Sequence, residues 1–275
     1  METKVYNNQS DKLIIVFTEW GMDYNVFSHL RALEYDVIVC YNFTRPDFAV
    51  CDKLECKTGT LHLECPLYNT FKRYREINII AWGCGVWVAS ITFDRYIQHL
   101  KADGHFRTLR LFKKIKRSVA IDGTLCPTSN TWGIKQQIFN NTLKALAREV
   151  NNNLTAKESV TLNKFNRRMC GKEALLEKYL QQQPQRGLED IYNELISLKE
   201  NYIFSNGIFW NKVIICDRDS TIPAKNQTRF WEEYKMNVET GNRLTFNANN
   251  FSIEHMDDYH YPFFRWNSWD EMLKL

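Results

Sequence analysis

The chain reads as an α/β fold: a mostly parallel sheet covered on both faces by helices, with a helical segment inserted late in the sequence. Three observations predict it. Short continuous apolar runs of strand length recur along the chain and alternate with stretches of helical spacing, the pattern of strands buried on both faces. From Ile77 to Ala89 such a run breaks at Gly83 and Gly85 and resumes with helical spacing, which is a strand, a sharp turn and a helix within thirteen residues. Between Gly133 and Asn206 the apolar strand pattern disappears and helix formers take over.

The elements follow in order. Lys12–Thr18 is a buried strand ending in Glu19-Trp20-Gly21-Met22, and Val26–Leu33 carries helical spacing. Tyr35–Tyr41 is a second buried strand, and Cys51–Asn69 is an irregular insertion. The strand Ile77–Trp82 leads into a helix from about Val86 to His99, and Ser118–Ile121 is the next strand, closed by Asp122-Gly123-Thr124. Helices are predicted at Phe139–Val150, Ala174–Gln182 and Leu188–Lys199, then a strand at Lys212–Cys216 ending in Asp217-Arg218-Asp219. A helix at Lys225–Tyr234, a strand within Leu244–Ile253 and a short helix around Ser268–Leu275 complete the chain. The expected organisation is a core over 1–130 and 207–275 interrupted by a helical cap over 131–206.

Composition narrows the class. Hydrophobic residues are 44% and aromatics 14% of 275 residues, enough for a folded core. A formal charge of +4 is too small to imply nucleic acid. No secretory h-region or bilayer-length apolar run is visible, so the eight cysteines read as reduced thiols and the chain as a cytoplasmic protein without a membrane partner.

The Ile77–Ala89 stretch has the form of the nucleophile elbow of α/β hydrolases, in which small residues sit two places either side of a nucleophile on a strained turn. Ala81 and Gly85 are the small pair, and the nucleophile position is therefore 83. Residue 83 is glycine. A hydrolase framework is present without the atom that should attack.

Several segments together resemble the BioG family of pimeloyl-acyl-carrier-protein methyl ester esterases of biotin synthesis. They are Phe17-Thr18-Glu19-Trp20-Gly21-Met22, Ala81-Trp82-Gly83-Cys84-Gly85-Val86-Trp87, and Asp122-Gly123-Thr124 with Trp132-Gly133-Ile134. Phe165-Asn166-Arg167-Arg168-Met169-Cys170-Gly171, Arg218-Asp219 with Pro223, and His260 to Trp269 complete the likeness. The resemblance implies an α/β-hydrolase fold, Ser-His-Asp ester hydrolysis, no cofactor, and an acyl carrier protein or acyl ligand as partner. It puts the family's serine on Gly83, its acid on Asp219 and its histidine on Ser268. It also puts Glu19 where the family has glycine.

Each departure has a chemical consequence. Glycine cannot attack a carbonyl, serine at 268 cannot act as a base near neutral pH, and a carboxylate at 19 opposes the charge an oxyanion pocket should stabilise. The expectation is a catalytically degenerate esterase that acts by binding. The alternative is an active ester or thioester hydrolase using Cys84 with His260 and Asp219, since thiolates are good nucleophiles at a helix N-terminus. Moving the nucleophile to 84 would make Trp82 and Val86 the flanking residues where the turn wants small ones. Cys84 as a small packed residue is therefore favoured, with a structural role for His260.

Other residues have two readings each. Cys51, Cys56, His62 and Cys65 have a loose zinc-ligand spacing, although reduced thiols are the commoner outcome, and no metal is expected. The basic run Arg107–Arg117 reads as a solvated helical face, while Arg167 and Arg168 suit either partner docking or cap packing. Trp20 and Trp82 flank the site positions and are expected to wall an apolar acyl pocket.

Overall fold

A computed structural model describes residues 1–45, 70, 72–102, 112–205, 210–240 and 251–274. Among them, seven strands form one sheet in the order β1-β3-β2-β4-β5-β6-β7. The strands are β1 (Glu2–Tyr6), β2 (Lys12–Phe17), β3 (Asp36–Tyr41), β4 (Glu76–Trp82), β5 (Ile115–Ile121), β6 (Lys212–Cys216) and β7 (Ser252–Met256). All neighbours from β3 to β7 run parallel, and β1 alone pairs antiparallel, against β3. The central strands are buried along nearly their whole length, as a sheet covered on both faces requires.

The helices are α1 (Cys84–Ala102), α2 (Gln136–Asn151), α3 (Val160–Cys170), α4 (Glu173–Leu180), α5 (Leu188–Glu200), α6 (Ala224–Glu239) and α7 (Trp269–Leu273). Four of them, α2 to α5, lie between β5 and β6. Two apolar clusters flank the sheet. Trp87, Phe93 and Trp231 lie in one, with side chains such as Leu195 from the inserted helices, and Phe27, Trp82, Tyr261 and Trp269 lie in the other.

The structure departs from the sequence reading in a few places. β1 is an exposed edge strand with no alternating apolar face, so no pattern marked it. Val26–Leu33 forms only a short 3₁₀ turn at Tyr24–Phe27, capped by the Asp23 carboxylate. β5 begins at Ile115, so Lys116 and Arg117 are strand residues and not part of a basic helical face. Residues 107–111 of that run lie outside the described residues, as do Cys51, Cys56, His62 and Cys65 of the proposed zinc set. The final strand is centred later than expected, at Ser252–Met256.

Candidate active site

The site forms at the C-terminal ends of β2, β4, β5 and β6, where successive loops converge. Gly83 follows β4 with φ +58, and its amide donates to Ile121 O on β5 at 2.9 Å. This left-handed turn is the elbow conformation, and α1 starts at the next residue. A Cβ on Gly85 would sit 2.3 Å from Thr18 O, so only glycine lets α1 approach the end of β2 this closely.

Glu19, just past β2, turns its buried side chain into this elbow. Trp20 N–H donates to Glu19 Oε1 at 2.6 Å, and Cys84 N–H donates to Oε2 at 3.1 Å. An ideal Cβ built on Gly83 would lie only 1.6 Å from Glu19 Oε2. The carboxylate therefore occupies the volume that any side chain at 83 would need.

His260 completes the cluster. It is fully buried in the loop after β7, and its carbonyl accepts from Trp82 Nε1 at 2.7 Å. Nδ1 lies 2.8 Å from Asp219 Oδ2, and Nε2 lies 3.0 Å from Glu19 Oε2. Asp219, after β6, is held by Gln227 Nε2 at 2.7 Å on Oδ2 and by the amides of Thr221 and Ile222 on Oδ1. Both ring nitrogens of His260 thus face carboxyl oxygens, an arrangement that favours the doubly protonated ring. Burial alone opposes that charge, but Asp219 and Glu19 outweigh it and push the His260 pKa well above its ordinary value.

Asp122, at the end of β5, is the fourth ionisable group. Its Oδ1 accepts from Cys216 N–H at 2.7 Å, while buried Oδ2 has no hydrogen-bond partner. Burial, and then the charge of Asp219, push its pKa well up, which favours the neutral acid. Asp122, Asp219 and His260 offer one potential metal-ligating atom each within 4.8 Å. The imidazole is committed on both sides to protein carboxylates, so this cluster has the chemistry of a hydrogen-bonded relay.

The predicted site residues divide accordingly. Gly83, Asp219, Cys84 and His260 come together, and His260 stands where a base would, against Asp219. Ser268 does not: its hydroxyl accepts from Glu271 N–H and caps α7, while its backbone bridges to Arg31. His260 meets Asp219 because the loop after β7 reaches it before the chain turns away to α7. Cys84 contributes its amide to the Glu19 carboxylate, and burial, then Glu19, push its thiol well above the usual range. Neither His260 nitrogen faces it.

Trp20 lines a crevice with Met22, Leu162, Phe165, Tyr179 and Ile191. Trp82 does not wall this crevice. β4 alternation sends it to the opposite face, where it packs against Phe27 and Phe263 and braces the His260 loop. Arg167 and Arg168 lie exposed near the end of α3, with Arg167 paired to Glu173 at 3.0 Å. His255 is exposed on β7 beside Asp217, away from the cluster. Sequence reasoning singled out Glu19 without linking it to Gly83. The coincidence of an acid where the family has glycine, and a glycine where it has serine, was the available signal. Asp122 appeared only within the Asp122-Gly123-Thr124 strand end.

The parallel sheet, the elbow, and an acid–histidine pair on successive loops define an α/β hydrolase. Among solved structures of that fold, a thermophilic esterase from Thermogutta terrifontis matches at TM-score 0.56 and 13% identity, over 99% of this chain and 89% of that one. The chain belongs to the BioG family: the family model "Pimeloyl-ACP methyl esterase BioG" matches residues 1–271. The crystal structure of BioG from Haemophilus influenzae superposes with TM-score 0.66 and 25% identity, over 98% of this chain and 99% of that chain. A malonyl-[acyl-carrier protein] O-methyltransferase of Bacteroides fragilis (strain 638R) is 31% identical over 223 residues, 80% of this chain. This chain spans 36% of that methyltransferase. Among the described residues, no helix is long and apolar enough to cross a membrane.

Proposed function

We propose that this BioG-family chain binds an acylated carrier protein or its acyl group without cleaving the ester, acting in the cytoplasm as a catalytically degenerate esterase. The observation that carries this reading is the Glu19 carboxylate at the elbow. It lies in the space of the missing side chain at 83 and takes the amides of Trp20 and Cys84. It also stands beside a protonated His260. Ester cleavage by this fold needs a nucleophile, a neutral base and free oxyanion donors. Gly83 supplies no nucleophile, the imidazolium cannot accept a proton, and the two amides already hold a negative charge.

Binding has its own support. The crevice beside Trp20, between the first loop and the helices of 131–206 acting as a cap, has one apolar side in Met22, Leu162, Phe165 and Ile191 and a polar one in Lys157, Asn163 and Asn166, which suits the polar end of an acyl chain. Arg167 and Arg168 on α3 suit the acidic surface of a carrier protein. The alternative with Cys84 as nucleophile finds less support, because its thiol is buried, partners the Glu19 carboxyl group instead of His260, and has its pKa pushed well up.

The test is incubation of the unmodified protein and Cys84→Ala with pimeloyl-carrier-protein methyl ester. The expected result is no ester loss above the uncatalysed rate, with saturable binding of the acylated carrier protein. An Arg167→Glu/Arg168→Glu variant should weaken that binding by about tenfold or more. Turnover by the unmodified protein would overturn the reading, and its loss in Cys84→Ala would make that thiol the nucleophile.

A further inference from the structure

We propose that the chain retains a complete ester-cleaving centre apart from its nucleophile, and that the Glu19 side chain is the plug that keeps this centre closed. The parts are all in position. Gly83 holds the elbow turn at φ +58, the conformation in which a nucleophile would be presented. His260 is oriented by Asp219, which is itself fixed by Gln227 and two backbone amides. The amides of Trp20 and Cys84 converge on a shared anion, as the donors of an oxyanion pocket do.

Glu19 imitates what these parts would otherwise bind. Its Oε1 sits with one cradle amide, and its Oε2 sits with the other amide and with His260 Nε2. Those are the partners of a developing oxyanion and of an attacking oxygen, supplied together by one carboxylate. The overlap of Oε2 with the Cβ volume of residue 83 makes the two mutually exclusive: a side chain at 83 and an inward Glu19 cannot coexist. The loop that carries the plug is held from the insert, because Glu194 accepts from Gly21 N–H at 2.9 Å and Trp20 Nε1 donates to Ile191 O at 2.9 Å.

Two reciprocal substitutions therefore open the centre. In Glu19→Gly/Gly83→Ser, the new hydroxyl passes its proton to His260 Nε2 as its oxygen bonds to the ester carbonyl carbon. The carbonyl oxygen becomes an oxyanion held by the Trp20 and Cys84 amides. Collapse breaks the ester C–O bond, and the departing alkoxide takes the proton from His260. Water, deprotonated by the same ring, then attacks the acyl carbon; the bond to the oxygen at 83 breaks, that oxygen takes the proton back from His260, and the acid leaves.

The experiment measures p-nitrophenyl butyrate hydrolysis and fluorophosphonate labelling for the double variant, each single variant, and the double variant carrying His260→Ala. The double variant should exceed either single by at least about 100-fold, the scale of one general base or one oxyanion donor. It should also take up one fluorophosphonate, and His260→Ala should abolish both signals. A double variant that unfolds cooperatively on heating yet neither hydrolyses nor labels overturns the proposal. If the double variant does not fold, Glu19→Gly alone decides: with the cradle vacated it should bind butyrate at least about tenfold tighter than the unmodified protein, as charge-assisted hydrogen bonds imply. Equal binding overturns the proposal. The inference rests on the unmodified chain not cleaving esters. Turnover by that chain would sink the binding reading, whereas an inert double variant would sink only the plug.

Discussion

At the scale of single residues, the cluster at the strand ends is a problem of buried charge. Three carboxyl groups, Glu19, Asp122 and Asp219, share one interior with one imidazole, and unpaired ions in such a place are costly. The raised pKa values of His260 and Asp122 both favour the same solution, a cation on the imidazole between Glu19 and Asp219 and a proton on Asp122. Asp122 therefore carries a pH signature. Its folded pKa is raised above the unfolded value, so its contribution to stability is fully present below the unfolded carboxylate range and is lost as pH rises towards the folded pKa. Asp122→Asn keeps the acceptor for Cys216 N–H and cannot ionise. Thermal unfolding should place its melting temperature at or above that of the unmodified protein, with the gap widening from acid to mildly alkaline pH. A gap that narrows instead would mean that Asp122 is ionised in the folded state.

At the scale of elements, each functional group is delivered by a turn whose local chemistry is readable. The elbow needs the positive φ at Gly83 and the close approach at Gly85. The acid is fixed by the first turns of α6, through Gln227. Ser268 belongs to a different device, the N-cap of the five-residue helix α7. Ser268→Ala should cost about 1 kcal/mol as a lost cap. That corresponds to a melting temperature lower by about 2–4 °C, with carrier-protein binding unchanged. Loss of binding at constant stability would return Ser268 to the site. Much of the element order was legible, because β2, β3, β4 and β6 are continuous apolar runs and α2, α5 and α6 have clear helical spacing. β1 was not, since an exposed edge strand has no face to bury. α3 was noticed only as a motif.

At the scale of the whole molecule, Glu194 ties the inserted helices to the sheet. It is fully buried on α5, accepts from Gly21 and Phe43 amides, and pairs with the buried Arg186 at 2.6 Å. Arg186 also reaches Met22 O, so one ion pair secures the loops that follow the neighbouring strands β2 and β3. Glu194→Ala would leave the Arg186 guanidinium with Asp190 and Met22 O and strand the Gly21 and Phe43 amides, at a cost of about 2–4 kcal/mol. Urea denaturation should show an unfolding free energy lower by that amount, and a loss below about 1 kcal/mol would mean that solvent replaces the carboxylate freely.

The sequence by itself determined the α/β class, the elbow and the absence of a side chain at its apex, because apolar periodicity and glycine punctuation are local; Asp219 as an acid came only from the family resemblance. Only the tertiary structure decided which position meets Asp219, since 260 and 268 lie on one short segment and differ only in where the chain turns. The same holds for Glu19 and Gly83. They are 64 residues apart, and only parallel pairing of β2 with β4 brings the two strand ends together, putting the carboxylate of one into the missing side chain of the other.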